Sequence, residues 1–319
     1  MSDLKRPALE GTVAVRGDRR LSFAEYGSPR GEAVVWMHGT PGARRQIPVE
    51  ARAYAAEHGL RIVGVDRPGI GSSTPHLYPD IADWTADLEL LLDALAIDTV
   101  RLVGLSGGGP YALAAGARLP DRVRGIGVLG GVAPTVGPDA AAGGIIQLAV
   151  RLAPLLSATR VPLGIALTNA IRLVRPLAGT GLDLYAAVQP DGDKNLLGRP
   201  EFKAMFLDDL LNGARFQTLA PLSDLVLFTR DWGFAPSEVT VPVHWWHGDA
   251  DHIIPFAHGE HVVARLPDAT MSVIAGESHL GGLGIAEEVL STVLALGRPA
   301  TRRVRSPRSP GAKTPHASQ

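Results

Sequence analysis

Short apolar runs, each broken by glycine or a polar residue, alternate along the chain with stretches in which apolar side chains recur every three or four positions. The first two runs, Gly11–Arg16 and Leu21–Tyr26, alternate apolar with polar and are joined by Gly17-Asp18, which predicts a hairpin. Four compact runs follow at Ala33–Met37, Arg61–Val65, Val100–Leu105 and Gly125–Leu129. They are β-rich without clean alternation, the pattern of strands covered on both faces. Between them, Ile81, Trp84, Leu88, Leu91, Leu92 and Leu95 form a helical stripe with Asp83, Asp87 and Glu89 off it. Strand and helix in alternation predict an α/β fold: a mostly parallel central sheet flanked by helices. The rhythm stops near Gly130 and resumes at Val241–Trp246 and Met271–Ala275, before a closing helix from Ile285 to Leu296. The intervening stretch reads as helices only. The expected organisation is a core of residues 10–131 and 241–297, a helical cap insertion of 132–240 over the end of the sheet, and a basic disordered tail of 298–319.

Composition narrows the function classes. With 319 residues, 45% hydrophobic and 20% charged, the chain can bury enough apolar surface to fold. The absence of cysteine excludes a disulfide scaffold, an iron–sulfur cluster and a thiolate zinc site. The formal charge of −1 conceals an asymmetry: six Lys/Arg lie beyond Leu296 with no acid, leaving 25 basic against 32 acidic residues before them, a net of −7. A mildly acidic body does not present the basic face of a nucleic-acid-binding domain, so no nucleic-acid partner is expected. No apolar segment suited to secretion is seen at Met1–Glu10. The apolar territory from Gly143 to Val174 is interrupted by Arg151, Pro154, Arg160, Pro162 and Arg172. No transmembrane segment is therefore expected, and the default location is cytoplasmic. Oligomeric state is not legible.

Candidate chemistry begins at Gly104-Leu105-Ser106-Gly107-Gly108, a G-x-S-x-G pentapeptide between an apolar run and the helical pattern Tyr111–Arg118. That strand–turn–helix context is the one the motif requires, because a nucleophile on a sharp turn needs small neighbours two residues to either side. The Gly107 N–H, near a helix N-terminus, is placed to hold a developing oxyanion.

With three further stretches, the chain resembles the α/β-hydrolase superfamily from about Val13 to Leu296. His38-Gly39-Thr40-Pro41-Gly42 is similar to the family's HGxPG oxyanion loop, Asp66-Arg67-Pro68-Gly69-Ile70-Gly71-Ser72-Ser73 to its D-x-P-G-x-G-x-S loop, and Gly248–Pro255 to its G-x-x-D-x-x-x-P acid loop. The resemblance implies a Ser-acid-His order along the chain, with Ser106 as nucleophile, Asp251 as orienting carboxylate and His279 as general base. It implies Thr40 as the second oxyanion donor, through its backbone N–H, beside Gly107. Asp249 is the competing acid, expected to brace its turn instead. The alternative acid position after the sixth strand reads Gly130-Gly131-Val132 and holds no carboxylate. His38 and Asp66 are expected to stabilise loops.

No cofactor and no metal are expected. His244, His247, His252, His258 and His261 are close in sequence, but His244 and His247 should point to opposite faces of a strand, and His258 and His261 should lie on a surface helix. Gly107-Gly108-Gly109 lacks the spacing of a nucleotide site. The insertion's apolar residues Ile145, Ile146, Leu148, Leu152, Leu155, Leu156, Leu163, Ile165, Leu167 and Leu173 are expected to pack the cap and in part to line a pocket. The small-molecule substrate that fits is an apolar carboxylic ester. The rival is a proline iminopeptidase-like aminopeptidase, in which acids of the cap (here Asp183, Asp191, Asp193, Glu201, Asp208 and Asp209) would hold the substrate's amino group. Its elbow usually reads G-G-S-W-G, unlike the one here. A third reading is a hydrolase relative that binds a ligand without turnover.

Overall fold

The computed structural model describes residues 6–141, 143 and 146–297. The opening hairpin comprises β1 (Leu9–Val15) and β2 (Arg19–Gly27), paired antiparallel from Leu9 opposite Glu25 to Val15 opposite Arg19. Its turn works because Gly17 and Asp18 both take the left-handed conformation, with φ of 65° and 57°, that a tight right-twisted hairpin demands. Six strands complete the sheet: β3 (Ala33–Met37), β4 (Arg61–Val65), β5 (Val100–Leu105), β6 (Val123–Leu129), β7 (Val243–Gly248) and β8 (Ala269–Ile274). The order is β1-β2-β4-β3-β5-β6-β7-β8, antiparallel up to the β2–β4 pair and parallel beyond it.

The compact runs are strands buried on both faces. In β3, Val34 and Trp36 join one apolar cluster and Val35 and Met37 the other, as the two-residue repeat of a strand requires. Helices α2 (Trp84–Ala94) and α3 (Gly109–Arg118) cover one face, and α1 (Val49–Glu57) with α12 (Ala286–Ala295) covers the opposite one. Asp87, off the apolar stripe of α2, is not at the surface. It is fully buried, with its carboxylate between Arg16, Arg19 and the Tyr78 hydroxyl, because the β1–β2 hairpin folds over that side of the helix.

Between β6 and β7 runs a long helical insertion: α4 (Ile146–Arg151), α5 (Ala153–Val174), α6 (Ala178–Ala187), α7 (Asp191–Gly198), α8 (Pro200–Gly213) and α9 (Ala220–Phe228). Its apolar residues are distributed otherwise than the sequence suggests. Leu152, Leu155, Leu163, Leu167 and Leu173 are exposed, and Ile165, also exposed, lines a surface pocket with Val161, Gly164 and Leu219. The reason is the narrow seam of α5, whose buried positions are Gly164 and Thr168; a Cβ at Gly164 would come within 2.7 Å of Leu219. The insertion binds the core instead through Leu196, Leu197, Phe202, Met205, Leu227 and Phe228 of α7–α9. Neither Ile145 nor the side chains of Ile146 and Leu148 nor the basic tail from Arg298 falls within the described part. After β7 come α10 (Phe256–Val263) and α11 (Gly281–Gly284). Among the described residues no helix is long and apolar enough to cross a membrane.

Candidate active site

Parallel strands ending on one edge deliver four loops to the same place. After β5 the chain turns sharply at Ser106, a non-glycine residue held at φ +50°. The left-handed conformation is costly for a serine and lifts its side chain out of the turn. The flanking glycines are sterically required: a Cβ on Gly104 would lie 2.7 Å from the Gly108 carbonyl oxygen, and one on Gly108 would lie 2.4 Å from the Met37 carbonyl oxygen. Backbone atoms of a buried sheet cannot withdraw from such contacts.

His279, beyond β8, presents Nε2 to the Ser106 hydroxyl at 2.9 Å and Nδ1 to Asp251 Oδ2 at 2.7 Å. All three side chains are more than nine-tenths buried. The loops carrying Asp251 and His279 can meet because Gly248 has no side chain: a Cβ there would come within 2.2 Å of the Glu277 carbonyl oxygen. Asp249 takes a different partner, accepting the Gly276 N–H at 2.7 Å and so bracing the turn that leads to His279. Gly130, at the end of β6, is close enough that a Cβ on it would be 3.4 Å from Asp251 Oδ2 and 3.5 Å from His279 Nδ1.

Asp251 has four donors. Oδ1 accepts the N–H groups of Ile253 and Ile254, both at 2.9 Å, while Oδ2 faces His279 and, at 3.3 Å, His247 Nε2. Burial pushes this carboxyl up, but the hydrogen bonds from His247 and His279 outweigh it and hold it well below the usual carboxylate range. It is therefore ionised near neutrality. The tautomer of His247 follows from its neighbours: Nδ1 accepts the Trp245 indole N–H at 3.1 Å, so Nε2 bears the proton directed at Ile254 O and Asp251. With Nδ1–H of His279 aimed at Asp251, its Nε2 lone pair faces Ser106, the arrangement a base needs.

Thr40 and Gly107 adjoin. A Cβ on Gly107 would be 2.4 Å from Thr40 Oγ1 and 2.9 Å from Phe228 Cζ, so the insertion closes this side of the site. His38 is buried and hydrogen-bonded, with Nδ1 donating to Gly39 O at 2.7 Å and Nε2 accepting the Arg67 N–H at 3.3 Å. Burial, reinforced by the Arg67 charge, holds its pKa well below the ordinary histidine value. Asp66 accepts the Ser22 hydroxyl and, at 2.6 Å, both the N–H and the guanidinium of Arg44.

Three buried carboxylates of the insertion grip the loops of this site, and the sequence did not single out that role for them. Asp193 Oδ1 accepts the N–H of Leu280, next to His279, at 2.9 Å, and its carboxylate also meets the Ser278 side chain. Burial raises its pKa. Asp209 accepts the N–H groups of Ala43 and Arg45 at 2.9 and 3.0 Å, and burial pushes it up to about 7. Asp224 receives the Thr40 hydroxyl at 2.6 Å, the Tyr111 hydroxyl at 2.7 Å and the Arg67 guanidinium at 2.7 Å.

The five clustered histidines do not converge, and among the described residues no set of three His, Asp or Glu side chains is arranged to hold a metal ion. His258 is buried rather than at the surface, because α10 lays Gly259 directly over Trp245 and His247.

Residues 32–283 match the family described as the alpha/beta hydrolase fold. Among curated proteins the chain is 33% identical over 135 residues to a proline iminopeptidase of Neisseria meningitidis, covering 41% of this chain and 43% of that one. It is 35% identical over 129 residues to a proline iminopeptidase of Arabidopsis thaliana, covering 40% and 33%. The chain thus spans less than half the length of these curated relatives. An esterase from Rhodococcus sp. ECU1013 superposes with a TM-score of 0.65 at 20% identity, over 90% of this chain and 99% of that structure, a likeness of fold.

Proposed function

This chain belongs to the alpha/beta hydrolase fold family, and on that premise we propose that it is a serine hydrolase cleaving carboxylic esters of small to medium apolar substrates through an acyl-enzyme on Ser106. His279 Nε2 takes the hydroxyl proton as Ser106 Oγ attacks the ester carbonyl. Ionised Asp251 holds the imidazole tautomer and stabilises the imidazolium. The oxyanion of the tetrahedral intermediate is received by the N–H groups of Gly107 and Thr40. Collapse expels the alcohol, which takes the proton from His279. The same base then deprotonates a water that attacks the acyl carbon, freeing the acid and restoring Ser106. The observation that carries this reading is the unbroken line of hydrogen bonds from Ser106 through His279 to Asp251.

A second reading, a proline-releasing aminopeptidase, is favoured by the curated relatives and by one observation: the Asp193 carboxylate stands beside the His279 loop, where a negative charge suits a substrate ammonium. The other acids of the insertion weigh against it. Asp209 and Asp224 are consumed by loop amides, Arg67 and Thr40. Asp183, Glu201 and Asp208 pair with Lys203, Arg199 and Arg45, and Asp191 is exposed. The raised pKa of Asp193 also makes it a poorer anion. Turnover of p-nitrophenyl esters of graded acyl length, compared with proline β-naphthylamide, separates the two. Ester hydrolysis abolished by Ser106→Ala, with little amide cleavage, is expected. Preferential release of proline would overturn the ester reading, and stoichiometric binding without turnover of any substrate would favour a ligand-binding role.

A further inference from the structure

Asp224, on the last helix of the insertion, is separated by 184 residues from Thr40, and both its oxygens are engaged in a buried network. Oδ1 accepts the Tyr111 hydroxyl at 2.7 Å; Oδ2 accepts the Thr40 hydroxyl at 2.6 Å and an Arg67 N–H at 2.7 Å. Arg67 Nε lies 3.2 and 3.0 Å from the two oxygens, and the guanidinium stands 5.0 Å from the centre of the Tyr111 ring. Arg67 and Asp224 are 3% and 2% exposed, too dry for the pair to exchange readily for water.

What Arg67 does with its remaining donors is informative. They bind the carbonyl oxygens of His38 at 2.6 Å and Gly39 at 2.8 Å, and the Thr40 hydroxyl oxygen at 2.9 Å. The Gly39–Thr40 peptide is trans, so its C=O and N–H point in opposite directions. Fixing Gly39 O toward Arg67, and toward His38 Nδ1, turns the Thr40 N–H away from them. No acceptor for that N–H occurs among the described residues, while the Thr40 side chain is pinned against Gly107. One guanidinium thus sets the orientation of the peptide, and one carboxylate of the insertion sets the guanidinium.

We propose that Asp224 is a positioning residue for the oxyanion loop: through Arg67 and the Thr40 hydroxyl it aims the Thr40 N–H at the oxygen that becomes negative when Ser106 attacks. This rests on the acyl-transfer reading above, and it makes an amide of the core dependent on a side chain of the insertion. Such a dependence acts on the transition state and not on ground-state substrate, because the oxyanion exists only after attack.

The test is Asp224→Asn, which keeps size but removes the charge, beside Thr40→Val, which removes the hydroxyl and with it the bonds to Asp224 and from Arg67, and leaves the backbone N–H and the Arg67–Asp224 pair in place. For each, kcat and KM on a p-nitrophenyl ester are measured with the inhibition constant of a matching trifluoromethyl ketone, whose adduct with a serine bears the oxyanion. We expect kcat to fall about 10- to 100-fold with KM within about threefold, and inhibitor affinity to fall in parallel with kcat/KM. The double variant should be little worse than Asp224→Asn alone, since both act on one hydrogen bond. If Asp224→Asn does not fold, Thr40→Val carries the same comparison. A folded variant with kcat within twofold of wild type, or a loss of activity that tracks only the unfolded fraction, overturns the proposal. Ester turnover surviving Ser106→Ala would instead overturn the acyl-enzyme reading itself, so the two failures are distinguishable.

Discussion

Replacing His247 by phenylalanine tests whether Asp251, the orienting acid of the proposed mechanism, depends on a second histidine. The ring is buried on β7, 6.4 Å from Trp245 and 5.6 Å from Phe256 between centres, so a phenyl group fits the space with little repacking. What disappears is polar. The Trp245 indole N–H loses its acceptor, and Ile254 O and Asp251 Oδ2 lose a donor. A buried donor left unpaired costs about 1–3 kcal/mol, and the single Nε2–H shared between the Ile254 carbonyl and the ionised Asp251 is worth about 1.5–3 kcal/mol. Allowing for the greater hydrophobicity of phenylalanine, the loss should be about 2–4 kcal/mol in the unfolding free energy from urea titration at pH 7. Asp251 keeps three of its four donors, including His279. Activity should therefore drop modestly, by about five- to tenfold in kcat/KM, the equivalent of about 1 kcal/mol of lost orientation. An unfolding free energy within about 0.5 kcal/mol of wild type would refute the assignment of His247 as a proton donor in this network.

Two other outcomes follow from the same geometry. Asp209, pushed up to about 7 by burial against an unfolded value near 3.9, holds a proton in the native state that the unfolded chain has released. Its contribution to stability is thus present below about pH 4 and lost as pH rises to 7, so urea midpoints of wild type should decline relative to Asp209→Asn across that window; a constant difference contradicts the assignment. Asp251→Asn should lower kcat by about four orders of magnitude. Because Gly130 sits at φ +54°, a conformation aspartate tolerates, and a Cβ there approaches His279 Nδ1, adding Gly130→Asp should return about tenfold or more of the lost rate; a folded double variant no better than Asp251→Asn rules this out.

The sequence carried the features set by short-range sterics. Buried strands, the Gly17-Asp18 turn and the glycines around Ser106 are dictated by neighbours within a few residues, and each is visible as a local pattern. The order of loops around His279 and Asp251 was legible through motif spacing. Other features depend on which distant segments meet. Asp87 is polar on a helix face that only the folded hairpin covers. His247 shares its strand with the acid loop, yet nothing local marks it as a donor to Asp251. Asp193, Asp209 and Asp224 look like solvated charges on amphipathic helices, because the amides they satisfy lie in loops far away in the chain. The leucines of α5 misled for the opposite reason: apolar content gives no direction, and small residues at Gly164 and Thr168 decided which side of the helix faces inward.

The three carboxylates that reach from the insertion into the loops also bear on how such a chain can be recombined. An insertion borrowed from a relative would bring a different roof over Ser106, and with it different side chains opposite Thr40, Ala43, Arg45 and Leu280. Unless acceptors arrive at those points, the graft strands Arg67 as a buried cation and leaves loop amides unsatisfied. The interchangeable unit in this protein is therefore not the helices alone. It is the helices together with the segments from His38 to Arg45, Arg67 and Glu277 to Leu280, and chimeras cut at the ends of β6 and β7 should work only when those segments travel with them.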